Sequence, residues 1–190
     1  MEHVSCDTLG AVSGAGEIAR WRVPLGWGLG LFALYLAEPT AIHLALGIAL
    51  AAAGEAIRLW ASGHLEKNER LTMTGPYAWT RNPLYLGSFL LGLGFCIASR
   101  GWLFVPVLLA LFLFVYHPVM KREASRLGQV YPEAYESYAA RVPLFVPGRP
   151  GKETAREPGG GFSWERVTKN REHVTLLGLA IVVAVLVAKL

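Results

Sequence analysis

Five stretches of this chain are apolar for nearly the length of a bilayer crossing, and the charged residues gather in blocks between them. A spanning helix needs about 20 mostly apolar residues, with roughly 17 as a lower limit. Residues 23–37 with their flanks, 41–61, 84–99, 102–119 and 174–190 are the candidates. Segment 84–99 is short for a full span and is expected to tilt, kink or borrow interfacial residues. Of the 190 residues, 17% are charged, where a soluble domain carries about 25%. An apolar content of 53% rules out a disordered chain. Cys6 and Cys96 make no disulfide framework and no metal-ligand spacing. The expectation is an all-α, polytopic integral membrane protein with about five transmembrane helices.

Charge placement gives an independent test. With five crossings and the N-terminus inside, residues 1–22, 58–83 and 119–173 lie on the inner side. They hold sixteen of the eighteen lysines and arginines, leaving Arg100 and Lys189 outside. The positive-inside rule describes this bias. The formal charge of +4 therefore reads as a topology signal, and nucleic acid is not an expected partner. Residues 1–19 lack the basic start and long apolar core of a signal peptide, so the first helix is expected to stay in place. The organisation expected is a cytoplasmic segment 1–22, a membrane domain 23–147, a Gly/Pro-rich linker with an amphipathic segment 148–173, and a C-terminal helix 174–190 ending on the opposite side.

Two polar clusters fall on the inner side. Residues 71–87 bring Tyr77, Trp79, Arg81 and Tyr85 together with two prolines and two glycines, and Pro83 suits the first turn of a helix. Taken alone, this composition describes an interfacial belt with Arg81 on lipid phosphate. Residues 121–138 carry Lys121, Arg122, Glu123 and Arg126, then Leu127, Tyr131, Tyr135 and Tyr138 at helical spacings. Alone, they describe a solvated helix with short-range ion pairs. Glu55 and Arg58, one turn apart, are expected to pair with each other. Gly47 and Ala51 permit close helix approach, and the same packing role is favoured for Gly92 and Gly94.

Taken in order, the clusters resemble the isoprenylcysteine carboxyl methyltransferases and the related phospholipid methyltransferases, integral membrane enzymes that use S-adenosylmethionine. Gly54, Arg58, Trp60 and Ala61 are similar to the family's Gly…Arg-x-Trp-Ala step. Gly75-Pro76-Tyr77 and then Arg81-Asn82-Pro83-Leu84-Tyr85-Leu86-Gly87 resemble Gly-Pro-Tyr…Arg-His-Pro-x-Tyr-x-Gly. Glu123, Leu127, Tyr131, Tyr135 and Tyr138, followed by Val142-Pro143 and Pro147, resemble the family's acidic helix and its Val-Pro…Pro ending. The resemblance covers about residues 45–147. This chain has Asn82 in place of the family's histidine, Ala124 in place of a second acid, and Tyr131-Pro132 in place of Phe-Gly. Val119 stands where the prenylcysteine enzymes hold substrate with an arginine, with Lys121 and Arg122 nearby.

The resemblance implies a cytoplasmic cofactor pocket built from the loop before the third helix and the segment after the fourth. It implies S-adenosylmethionine bound by Glu69, Arg70, Leu71, Thr72, Tyr77, Asn82, Pro83, Leu84, Tyr85 and Glu123. Arg81 or Arg122 would then hold an anionic group of a lipophilic acceptor. Asn82 keeps the capacity for hydrogen bonds but not an imidazole's proton chemistry. None of the histidines reads as a dedicated base: His64 is expected at the interface, and His117 ends the fourth helix. Two alternatives stand beside this reading. One is a sterol-reductase-like enzyme using NADPH; the other is a non-catalytic membrane scaffold with a degenerate cofactor site.

Overall fold

A computed structural model describes residues 28–66, 70–149 and 161–190. The N-terminal segment 1–22, the start of the first apolar stretch, Glu69 and most of the linker lie outside the described residues. Every regular element among the described residues is helical. Residues 28–35 form α1. It is followed by α2 (Ala41–His64), a 3₁₀ turn at Gly75–Ala78, and α3 (Pro83–Ala98). The long helix α4 (Phe104–Val130) contains a π turn at Phe112–Tyr116. Then come α5 (Pro132–Arg141), α6 (Trp164–Lys169) and α7 (Glu172–Ala188).

Helices thus occupy the candidate segments 41–61, 84–99, 102–119 and 174–190. The expected five full crossings are matched in length and composition by two of them, α2 and α4. Both α3 and α7 are apolar but shorter, 16 and 17 residues long. At 1.5 Å per residue they span roughly 25 Å, somewhat less than the ~30 Å hydrocarbon layer. Large apolar side chains point outward along these helices: Phe114 is 76% exposed, Ile42 72% and Leu177 63%. An outward apolar face of that extent is what lipid, rather than water, would cover.

Glycines hold α2 and α3 together. Gly47 and Gly54 on one helix, and Gly87 and Gly94 on the other, are each two turns apart and so share a face. The helices run antiparallel with their backbones in contact. A Cβ at Gly54 would lie 2.7 Å from the Gly87 carbonyl oxygen, and one at Gly94 would lie 2.6 Å from that of Gly47. Gly92 instead faces Leu108 of α4, so both Gly92 and Gly94 serve packing. At one end of the bundle Ala37, Leu44, Ala98 and Leu186 form a buried cluster joining α2, α3 and α7.

The other end is bound by polar contacts. Asn170 donates to the Ser62 carbonyl at 2.9 Å. Arg166 donates to the carbonyls of Gly161 at 2.9 Å and Gly63 at 3.2 Å. Phe162 packs on Gly63 and on the His64 ring. His64, expected at the interface, is 8% exposed and hydrogen-bonded to the Trp60 carbonyl. Glu66 is shared between Arg70 and Arg166. Arg171 turns the chain into α7 with φ 61°, a left-handed conformation that costs a non-glycine residue roughly 1 kcal/mol.

Two outcomes follow. Gly54→Leu should lower unfolding stability in detergent by ~3 kcal/mol, the upper range for overpacking, whereas Gly178→Leu, where a Cβ meets open space, should not. Equal thermal midpoints for the two variants would contradict the packing. The Arg70 hydrogen bond, aided by the Arg70 and Arg166 charges, holds the Glu66 carboxyl below its ordinary range. Its stabilisation is therefore full above the unfolded value and is lost as pH falls through the lower folded one. The midpoint difference between wild type and Glu66→Gln should shrink below a pH of about 4.5. A difference constant into strong acid would contradict this.

Candidate functional site

Where the C-terminal parts of α2 and α4 and the N-terminal end of α3 meet α5, they enclose a cavity of about 660 Å³. That lies within the range of roughly 300–1,000 Å³ typical of small-molecule sites. Local sequence explains much of the wall. Gly75 takes φ 61° ahead of Pro76, and the following 3₁₀ turn buries Tyr77. Pro83, at the first helical position, starts α3 directly after Asn82.

The segment after α5 is tied back onto this loop. Arg81 N–H donates to the Pro143 carbonyl at 2.9 Å, and Gly148 N–H donates to that of Trp79 at 2.9 Å. Thr80 Oγ1 donates to the Phe145 carbonyl at 2.9 Å, and Asn82 Nδ2 to the Leu144 carbonyl at 2.9 Å. The Tyr138 hydroxyl, almost fully buried, donates to the Tyr77 carbonyl at 2.8 Å. Burial pushes the Tyr77 and Tyr138 hydroxyls far above the usual phenol range, so both stay protonated near neutrality.

Of the residues nominated from sequence, Arg70, Leu71, Thr72, Tyr77, Arg81, Asn82, Pro83, Leu84, Tyr85 and Glu123 line this one cavity. Arg122 stands outside the lining, while Arg126, one turn beyond Glu123 on α4, is part of it. Glu69 falls outside the described residues. Arg81 donates to the Tyr135 hydroxyl at 2.9 Å and sits 5.7 Å from that ring's centre. Its Nε is buried without a hydrogen-bond partner.

Sequence reasoning missed several contributors. Tyr116 lines the cavity from the π turn, edge-on to Tyr85 at 5.6 Å and stacked on Phe112 at 4.6 Å. A π turn re-aims side chains at the point where it interrupts a helix, and apolar periodicity carries no sign of it. Arg58 also lines the cavity. It approaches the expected Glu55 at 3.7 Å, but its stronger partner is Glu172 of α7, whose two oxygens accept from Nη2 at 3.0 and 2.9 Å. Nη1 donates to Ser88 Oγ on α3. His117 is not part of the lining.

Comparison with known proteins gives this arrangement its family. The sequence is 39% identical over 104 residues to the cobalt-zinc-cadmium resistance protein CzcN of Cupriavidus metallidurans, covering 54% of this chain and 46% of the relative. It is 32% identical over 104 residues to the nickel-cobalt-cadmium resistance protein NccN of Alcaligenes xylosoxydans xylosoxydans, covering 54% and 47%. The matched part thus spans about half the length of these curated relatives. No solved structure matches the chain. The phospholipid methyltransferase family matches residues 27–134, more than half of the sequence, and the chain belongs to that family.

Proposed function

We propose that the protein is an integral membrane methyltransferase that moves a methyl group from S-adenosylmethionine to a lipophilic acceptor at this cavity. The observation that carries the reading is convergence. Residues spread from Arg70 to Glu123, all within the family match, meet around one cavity with aromatic, cationic and acidic walls.

The chemistry of the lining fits the cofactor. Glu123 is the one carboxylate that α4 brings to the cavity, and it suits an ammonium or a ribose diol. Tyr77 and Tyr85 offer ring faces to adenine or to a sulfonium, a cation attracted by aromatic π-density. The cationic side chains Arg70, Arg81 and Arg126 suit carboxylates. S-Adenosylmethionine supplies a sulfonium-bound methyl that leaves in an in-line displacement, so the residues' tasks are positioning and exclusion of water.

The acceptor is a carboxylate, a lipid amine or a thiol. Two features favour an acceptor that is already an anion. The described lining contains no histidine, and the Tyr77 and Tyr138 hydroxyls are held protonated. Arg81 also brings a guanidinium to the cavity lining, a partner for such an anion. In this reading the cavity opens to the cytoplasm, as the charge bias of the sequence implies, and the C-terminus lies opposite. In the same reading the acceptor arrives sideways from the bilayer.

Calorimetric titration of detergent-purified protein with S-adenosylhomocysteine, with NADPH as control, tests this directly. Saturable one-site binding of the first and none of the second is expected. Glu123→Gln and Tyr85→Ala should each weaken it about tenfold or more, the scale of a lost charged or aromatic contact. Saturable NADPH binding would favour the reductase alternative, and silence with both would favour a scaffold.

A further inference from the structure

The C-terminal helix lies beyond the matched residues 27–134, yet its first turn reaches the cavity wall. Glu172 is 4% exposed, and both its oxygens accept from Arg58 Nη2. Thr175, one turn on, accepts from the same nitrogen at 3.3 Å. On the other side of the guanidinium, Nη1 donates to Ser88 Oγ, which in turn donates to the Leu84 carbonyl at 2.9 Å. Leu84, Tyr85 and Ser88 all line the cavity. A continuous chain of hydrogen bonds therefore runs from α7 through Arg58 into the first turns of α3.

Glu55 is no substitute for Glu172. Its nearest oxygen is 3.7 Å from Arg58 Nε, and neither of its oxygens has a hydrogen-bond partner. Without Glu172, the guanidinium would be left under-compensated in an apolar wall, and its flexible stem would carry it toward the cavity.

We propose that Glu172 is a positioning residue of the site: through Arg58 it fixes the first turns of α3, so that α7 braces the cavity wall from behind. The proposal rests on reading the cavity as the cofactor site. Calorimetry separates a positioning role from a purely structural one, because misfolding lowers the fraction of protein that binds, whereas a displaced wall lowers affinity. S-Adenosylhomocysteine should bind Glu172→Gln about tenfold more weakly at undiminished stoichiometry. The substitution should have little further effect in an Arg58→Gln background. Thr175→Val, a milder change, should weaken binding about threefold with stoichiometry intact.

Wild-type affinity in Glu172→Gln or Thr175→Val, a loss confined to stoichiometry, or full additivity with Arg58→Gln would overturn the proposal while leaving the methyltransferase reading in place. Wild-type protein that binds no S-adenosylhomocysteine would overturn both.

Discussion

Arg58 carries a full positive charge into a wall of apolar helices, and the surrounding structure is arranged around keeping that charge satisfied. An unpaired buried guanidinium costs several kcal/mol, so its partners must come from whichever helices pass nearby. Here they come from α3 and α7, through Ser88 and Glu172. The glycine seam makes the reach possible. A side chain at Gly87 would collide with the Arg58 stem as well as with the Gly54 carbonyl. Close backbone packing of α2 and α3 and placement of a charge at the cavity wall are thus one design problem with one solution.

The same economy shapes the opposite wall. Segment 142–148 makes no helix, yet its carbonyls are consumed by Arg81 N–H, Thr80 Oγ1 and Asn82 Nδ2. These bonds hold the loop before α3 against α5, with Tyr138 buried beneath it. Behind the loop, Phe89, Phe112 and Phe145 form a continuous aromatic cluster within ring distances of 4.8–6.0 Å. The cavity itself is lined by tyrosine rings, among them Tyr77, Tyr85 and Tyr116, beside the charged groups of Arg81, Glu123 and Arg126. That mixture of rings and charges suits a charged, water-soluble ligand.

Much of this was legible in the sequence, for identifiable reasons. Hydropathy marks helices because each must cover its own backbone in an apolar solvent, and four candidate segments hold helices where expected. The ordered motifs between Arg70 and Glu123 meet at one cavity because they flank neighbouring ends of adjacent helices. The Glu172–Arg58 pair was not legible. Its partners are 114 residues apart, and no local period links them. Asn82 shows a different limit: the motif drew attention to a ligand contact, while the fold commits its amide to Leu144. Tyr116 was hidden because a π turn changes which face a residue presents without changing the apolar pattern.

The central claim is that this cavity transfers methyl groups to something that partitions into lipid. It is tested most directly by incubating the purified protein, reconstituted in liposomes with a bacterial lipid extract, with S-adenosylmethionine labelled in its methyl group. Protein-dependent movement of label into the organic phase is expected, in a base-labile form if the acceptor is a carboxylate. Label that stays entirely with the aqueous cofactor, in the presence of intact, saturated protein, would contradict the claim.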